Sequence, residues 1–322
     1  MTDVEARVRE LCQAPAGCAF LLAVAESAIT PEEAAEPVTA TYLAALAVEE
    51  VSPWFPAHDR VVAMALEHGP RLFDLAREIL RQPAAASWFG PIGRRAQQWT
   101  TTLDRTDSVP RPRRPDRPIT NWERYAQKPD WGLWTSTELD DAAATTSFLA
   151  CVAYGAGDIA ADFDLPFARY RLTIAPTARV YEIDGPGAWH RLCTRYPTSG
   201  EDDRLVPDWP AIAVDWDGVH LTLGGLLTAE QVRVEGPQGW TEHWAWDAEQ
   251  TVWLRDVFDA VRLPDLTELA EPPDWIAPPR ALWINPSPDT WPWLVSIPMG
   301  PEADEPNHDN LDEYFFPPTL RR

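Results

Sequence analysis

Three consecutive hydroxyl side chains, Thr135, Ser136 and Thr137, are the residues of this chain best suited to contact a ligand. They follow Trp131-Gly132-Leu133-Trp134, in which a turn at glycine leads into apolar residues that a sheet can bury. Hydroxyl groups both donate and accept hydrogen bonds, so a strand that ends in them offers polar groups to a bound molecule. The pattern predicts a short strand over 133–136 with a ligand contact at its end.

A second group of polar side chains is a cluster of five arginines in a chain whose formal net charge is −23. The cluster consists of Arg105, Arg111, Arg113, Arg114 and Arg117. Its Pro/Arg/Asp composition over residues 105–118 is typical of an extended linker, and an anion-binding site is the alternative. The strong negative charge of the whole chain disfavours general binding to nucleic acid or to anionic lipid.

Several other chemistries lack their sequence signals. The four cysteines form no CxxC pair and no zinc spacing, and neither a glycine-rich phosphate loop nor a Gly-x-Ser-x-Gly elbow is present. Asp217-Gly218 beside His220 is typical of a turn that enters a strand, rather than of a metal site. We therefore expect no metal. The acidic start and the absence of a long apolar run lead us to expect a cytoplasmic protein.

The elements that must position these residues fall into two parts of different composition. Fourteen of the 17 tryptophans and 25 of the 33 prolines follow residue 105. Residues 1–104 predict a small helical bundle, with a capping box at Thr30-Pro31-Glu32-Glu33 and an apolar stripe at helical spacing over 72–80. Residues 119–322 predict an α+β domain with a mixed or antiparallel sheet, over which the Pro-rich C-terminal segment wraps.

Within 119–322, alternation of apolar and polar residues predicts strands, and apolar periodicity predicts helices. The predicted strands are 133–136, 170–174, 179–183, 218–223, 251–254 and 282–284. The predicted helices are 145–153, 187–196 and 209–214. Tryptophans within or beside these elements are expected to be mainly core residues.

Four segments in this order resemble a group of actinobacterial and phage-borne proteins: 128–137, 180–184, 207–222 and 244–254. The shared features are a Lys-Pro segment leading to Gly132-Leu133-Trp134, a tryptophan followed by Asp217-Gly218, and the end Trp246-Asp247-Ala248-Glu249. The resemblance covers roughly 120–258. Through this group the chain resembles the ADP-ribosyltransferase fold, whose enzymes consume NAD as a substrate.

This resemblance implies roles for particular residues. Ser136 and Glu249 are the expected catalytic residues, with Glu249 stabilising the positive charge that develops on the ribose as nicotinamide leaves. The expected NAD-binding residues are Arg117 on the first strand, Tyr125, Trp131 and Trp134 as stacking groups, and the neighbouring Thr135 and Thr137. Three other glutamates compete with Glu249 for the catalytic role: Glu182, Glu230 and Glu235. No Glu-x-Glu or Gln-x-Glu pair is present, which argues against arginine-directed transfer.

The resemblance leads us to expect an ADP-ribosyltransferase-like enzyme, in which the helical domain chooses the target or partner. Transfer to a protein or small-molecule acceptor and simple NAD glycohydrolysis both fit. The alternative is a non-catalytic interaction module with a Trp-rich binding face, since tryptophan is enriched in binding hot spots. In an enzyme, Ser136, an arginine and a glutamate must converge on one cleft that is lined by aromatic side chains.

Overall fold

The computed structural model describes residues 2–27, 29–52, 58–102, 111–112, 127–129, 131–140, 145–154, 165–199, 203–244 and 246–269. All of them belong to one compact unit, Met1–Trp283. Most of the Arg-rich segment, the predicted strand 282–284 and the Pro-rich segment from residue 270 onward lie outside the described residues, as do Arg117 and Tyr125. The described part is α+β with a mixed sheet, as the sequence predicts.

Helices dominate the first 80 residues. They are α1 (Thr2–Gln13), α2 (Pro15–Glu26), α3 (Pro31–Ala35), α4 (Pro37–Glu50), α5 (His58–His68) and α6 (Phe73–Leu80). The predicted capping box is confirmed, because Thr30 accepts the amide of Glu33 while the Glu33 carboxylate accepts the amide of Thr30. Helices α2 and α4 are apolar on nearly all sides and are almost fully buried. They are therefore core helices of the unit rather than surface helices.

The later helices connect the strands of the sheet. They are α7 (Ser147–Tyr154), α8 (Pro186–Arg195), α9 (Trp209–Asp215) and α10 (Leu223–Ala229). Helix α7 packs on α4, and α10 packs on both α2 and α4. Gly225 of α10 lies directly against Ile183 of the sheet. A Cβ added to Gly225 would be only 2.0 Å from the Ile183 carbonyl oxygen. The N-terminal helices thus pack directly on helices that lie within residues 119–322.

Eight of the strands form one sheet. The strands, in chain order, are β1 (Gln97–Thr102), β2 (Leu133–Asp140), β3 (Thr145–Thr146), β4 (Phe167–Ile174), β5 (Val180–Ile183), β6 (Pro197–Ser199), β7 (Leu205–Pro207), β8 (Gly218–Leu221), β9 (Arg233–Gly236), β10 (Gly239–Glu242), β11 (Gln250–Trp253) and β12 (Phe258–Leu266). The large sheet has the order β12-β4-β1-β2-β11-β8-β5, with β3 paired to β2. Only the β5–β8 pair is parallel among its described ladders, so the sheet is mixed.

Three strands of this sheet, β1, β3 and β12, are absent from the sequence prediction. Residues 97–102 lie in the segment predicted to be helical, yet β1 is a central strand between β4 and β2. Strand β12 includes Pro264, which cannot donate to a ladder; it is tolerated because β12 is at the edge of the sheet. The other predicted strands and helices between 133 and 254 are confirmed within a few residues.

In the described part of the chain, no single helix is long and apolar enough to cross a membrane. One pair, 4–13 with 15–26, meets the length and composition criteria only when its two helices are joined across a bend of 94°.

Candidate functional site

The three hydroxyls of β2 lie on two different faces of the sheet, because side chains alternate along a strand. Thr135 and Thr137 are on the same face as Gln97 of the neighbouring strand, to which both are hydrogen-bonded. Ser136 is on the other face, together with Trp134. We call the side that carries Thr135 and Thr137 the threonine face.

Glu249, immediately before β11, lies on the threonine face and is 6% exposed. Its carboxylate accepts the Thr137 hydroxyl at 2.7 Å and the Thr137 backbone amide at 3.1 Å. It also contacts Nε2 of His220 at 2.8 Å. The backbone amide of Glu249 donates to Ser147 Oγ at 3.0 Å, so both its backbone and its side chain are fixed. Glu249 is thus a buried carboxylate whose orientation is set by Thr137 and His220.

His220 of β8 lies between two carboxylates. Its Nδ1 is 2.5 Å from Glu182 Oε2 and its Nε2 is 2.8 Å from Glu249 Oε1. Glu182 comes from the adjacent parallel strand β5, where it is directly opposite His220 in the ladder. The other oxygen of Glu182 accepts the backbone amide of Ile92 at 3.1 Å. The Glu182 side chain is 28% exposed, whereas that of His220 is 5% exposed, so solvent reaches this group from the Glu182 end.

The geometry fits a doubly protonated imidazole. Each ring nitrogen is within hydrogen-bond distance of a carboxylate oxygen, and only an imidazolium has an N–H on both. Burial by itself lowers the pKa of His220. The hydrogen bonds and charges of Glu182 and Glu249 outweigh burial and raise the pKa of His220 to about 9. At neutral pH the three side chains therefore form a carboxylate–imidazolium–carboxylate group.

Hydrogen bonds extend this group across five strands of the sheet. Thr137 accepts Gln97 Nε2 at 2.9 Å, and Gln97 Oε1 accepts the Thr135 hydroxyl at 2.7 Å. Thr135 in turn accepts the indole N–H of Trp253 at 2.9 Å. We call the complete chain of seven side chains the threonine-face network: Glu182, His220, Glu249, Thr137, Gln97, Thr135 and Trp253.

The opposite face of β2 carries a separate polar cluster. Ser136 is 2% exposed, and its hydroxyl has no hydrogen-bond partner in the part of the chain that the structure describes. Its register partner is Gln98 of β1. Arg171 of β4 makes two hydrogen bonds to Glu138, at 2.7 and 2.8 Å. The structure thus does not bring Ser136 and Glu249 together, because the sheet separates their side chains.

The remaining predicted site residues have different surroundings. Arg117 and Tyr125 lie outside the described residues. Trp131 is buried at 6% exposure. Trp134 is half-buried, with its indole N–H on the carbonyl of Pro129 at 3.3 Å and its ring 4.9 Å from the ring of Trp246. Trp131 and Trp134 are thus packing residues in this structure.

The glutamates that compete with Glu249 are also distinguished. Glu182 is at the other end of the same histidine. Glu230 is buried and contacts His243 Nδ1 at 3.0 Å, away from the β2 hydroxyls. Glu235 is exposed and pairs with Arg233. Among the described residues, no group of three or more His, Cys, Asp or Glu side chains is placed to hold a metal ion.

Sequence reasoning did not assign His220 or Gln97 to the site. Period-two alternation in Thr135-Ser136-Thr137 is the one local signal that separates Thr135 and Thr137 from Ser136. No local pattern connects Glu182 to His220, because the two are 38 positions apart in the chain and are joined through a helical crossover.

Comparison with protein-family models, with curated proteins and with solved structures finds no match to this chain.

Proposed function

We propose that this chain is an NAD-consuming enzyme of the ADP-ribosyltransferase type, with Glu249 as the catalytic carboxylate. The observation that supports this proposal is the pair of hydrogen bonds from Thr137 to Glu249, which join the carboxylate to the hydroxyl-bearing strand. The resemblance predicts a carboxylate and a hydroxyl strand side by side. In the proposal, the hydroxyl partner of Glu249 is Thr137 rather than Ser136.

The proposed reaction breaks the bond between ribose C1′ and the nicotinamide nitrogen. The bonding electrons leave with nicotinamide, and positive charge develops at C1′. A fixed carboxylate beside C1′ stabilises that charge, and because it is already oriented it costs little reorganisation during the reaction. An acceptor nucleophile then bonds to C1′ and loses a proton, which gives ADP-ribosylation; water as the nucleophile gives free ADP-ribose.

The neighbours of Glu249 fit supporting roles. Thr137 fixes both oxygens of the carboxylate, and Gln97 fixes Thr137. Gln97 lies on β1, the strand beside the hydroxyl strand. Arg117 and Tyr125 stay candidates for NAD contacts, and the N-terminal helices stay the candidate for recognising the target or partner.

We place the entrance for the nucleotide beside Gly93, at the edge of the threonine face. Gly93 is exposed and Thr137 is half-buried. A Cβ on Gly93 would lie 3.7 Å from the Thr137 methyl group, so the two residues are neighbours. This route leads to Thr137, and through its hydrogen bonds to Glu249.

The test is release of nicotinamide from NAD by purified protein. We expect Glu249→Gln to slow release by about 10²–10³-fold, the usual cost of removing one electrostatic contact to a transition state. Ser136→Ala is expected to keep wild-type release, since Ser136 lies on the other face. Glu235→Gln is the matched control, because Glu235 is exposed and pairs only with Arg233 among the described residues. Equal loss in Glu235→Gln and Glu249→Gln would contradict the assignment of Glu249.

The alternative, a non-catalytic interaction module, has one observation in its favour. Trp240 and Trp244 are half-buried, and the Arg204 guanidinium lies 5.6 and 5.4 Å from their ring centroids. Such an Arg–Trp group is typical of binding hot spots. Against this alternative, many other tryptophans are core residues that cannot form a binding face, including Trp189, Trp209, Trp246 and Trp253. Wild-type protein that neither binds NAD in calorimetry nor releases nicotinamide would favour this alternative.

A further inference from the structure

We infer that His220 and Glu182 are positioning residues for Glu249: the imidazolium holds the Glu249 carboxylate in place and releases it when the ring loses a proton. The consequence for catalysis rests on the proposed function, whereas the hold on the carboxylate is a property of the fold. Neither residue needs to touch the substrate. Their effect is exerted through Oε1 of Glu249, which contacts both His220 and Thr137.

The release follows from the hydrogen-bond inventory of imidazole. A neutral ring has one N–H and one lone pair. With carboxylate oxygens at 2.5 Å from Nδ1 and 2.8 Å from Nε2, one lone pair would face an oxygen lone pair at hydrogen-bond distance. The net charge of the three groups would also change from −1 to −2 in a buried site. A neutral ring can therefore donate to only one of the two carboxylates, and in the proposal Glu249 is the one that loses its hydrogen bond.

Few other groups can take over this charge. His220 is buried, and its register partner on β11 is Thr251, which does not ionise. The Thr137 hydroxyl donates to Glu249, the partner of His220, and does not ionise either. The loop at Ile92 contributes a backbone amide to Glu182. Arg94 on the same loop donates to the carbonyls of Ala175 and Ala178. Among the described residues, the charged groups that contact His220 are Glu182 and Glu249.

The contacts of Glu182 provide an unusual test. Its Oε1 accepts the Ile92 amide and its Oε2 faces His220 Nδ1. In Glu182→Gln, the side-chain oxygen can still accept the backbone amide of Ile92. The side-chain NH₂ then faces His220 and donates to its Nδ1. A neutral ring with its N–H on Nε2 then still donates to Glu249. This substitution is therefore expected to hold Glu249 in place at every pH, without an imidazolium.

The experiment records the backbone amide resonance of Thr137 and the ring ¹⁵N resonances of His220 between pH 6 and 10.5. The Thr137 amide reports on Glu249 directly, since it donates to Oε2. In the wild type we expect the amide to shift as His220 titrates. In Glu182→Gln one of the two carboxylates that raise the pKa of His220 is gone, so we expect the ring to lose its proton at lower pH than in the wild type, while the amide stays fixed. Glu230→Gln is the matched control, because it makes the same change at the buried contact with His243 and should behave as the wild type.

Nicotinamide release over the same pH range separates the two proposals. Wild-type release should fall about tenfold per pH unit above the titration of His220, and Glu182→Gln should lack this alkaline loss. A Thr137 amide that stays fixed while wild-type His220 titrates overturns the positioning role, whether or not NAD is cleaved. An amide that follows His220 in a protein that releases no nicotinamide at any pH supports the positioning role and overturns the proposed function. If Glu182→Gln fails to fold, the wild-type titration by itself decides whether His220 positions Glu249.

Discussion

Thr137 donates both its backbone amide and its hydroxyl to the carboxylate of Glu249, although 112 residues separate them in the chain. The two hydrogen bonds connect the middle of β2 to the residue just before the neighbouring strand β11, so the sheet itself sets the orientation of the carboxylate. Hydrogen bonds to a charged acceptor are stronger than those between neutral groups. This relationship is the basis of the first prediction.

Thr137→Val keeps the shape of the side chain but removes the hydroxyl that donates to Glu249. We expect nicotinamide release to fall by about 10–100-fold, because the carboxylate loses one of its orienting contacts. Thr137→Ser restores the hydroxyl and should recover most of the activity. Comparable activity in the valine and serine variants would show that the hydroxyl of Thr137 does not position Glu249.

His220 should make stability depend on pH. Its pKa is raised from 6.5 to about 9 in the folded state. A raised pKa means that the folded state binds the proton more tightly, so this stabilisation is complete below pH 6.5 and is lost as pH rises through about 9. At 1.36 kcal/mol per pH unit the loss is roughly 3 kcal/mol. Urea unfolding at pH 6, 8 and 10 should show this loss in the wild type.

The control for that prediction is His220→Gln, which cannot take up the proton. Its free energy of unfolding should converge on that of the wild type as pH rises from 6.5 to 10, because other titrating groups are common to both proteins. A constant difference across this range would mean that His220 is neutral in the folded protein.

A pair of buried carboxyl groups in the N-terminal helices predicts a second pH dependence. Burial raises the pKa of Glu26 to about 8, and burial with the charges of Glu49 and Glu26 raises the pKa of Glu50 to about 9. Both oxygens of Glu26 and Oε1 of Glu50 have no hydrogen-bond partner among the described residues. For an acid, a raised pKa gives stability that declines as pH rises from 4.5 towards the folded value.

Glu50→Gln removes this titration and should therefore stabilise the protein more at pH 8 than at pH 5. We expect a gain of about 1–3 kcal/mol at pH 8, comparable to the cost of burying a polar group that is not hydrogen-bonded. Thermal or urea unfolding measures it. Glu78→Gln on the exposed side of α6 is the control and should change little. Destabilisation of Glu50→Gln at pH 8 would contradict the assignment of an unfavourable buried carboxyl.

Gly93 provides a test of the proposed entrance. A Cβ at position 93 would already lie 3.7 Å from the Thr137 methyl group, so the ring of a phenylalanine there would project over that group. We expect kcat/KM for NAD to fall about tenfold or more while the unfolding temperature changes little, because Gly93 is exposed. Gly187→Phe, at another exposed glycine, is the control. Unchanged kinetics in Gly93→Phe would place the entrance elsewhere.

Much of the fold could be predicted from local patterns, and the exceptions have physical causes. Alternation predicted β4 and β5 because each has a polar and an apolar side, and the capping box at Thr30 predicted the start of α3. Strand β1 carries Gln97, Gln98 and three threonines, so it has no apolar alternation. Gln97 and Gln98 are nevertheless buried, and Gln97 hydrogen-bonds to Thr135 and Thr137 of β2, which a local pattern does not reveal.

The site was predictable only in part. Glu249 and Thr137 are evident as chemical groups in the sequence, and strand alternation separates Ser136 from Thr137. Which of the two hydroxyls meets Glu249 depends on the register of β11 against β2, which is a long-range property. The contact of Glu182 with His220 depends on the parallel pairing of β5 and β8 across a helical connection. These pairings are set by tertiary packing rather than by propensity.

The position of β1 between β4 and β2 has a consequence for dissecting the chain. A fragment that begins at residue 119 would lack Gln97 and would leave β4 and β2 with facing, unpaired edges. Unpaired strand edges are templates for association with other chains. Such a fragment should therefore aggregate rather than behave as a minimal enzyme, and the N-terminal segment is an internal part of the sheet that cannot be removed as an accessory.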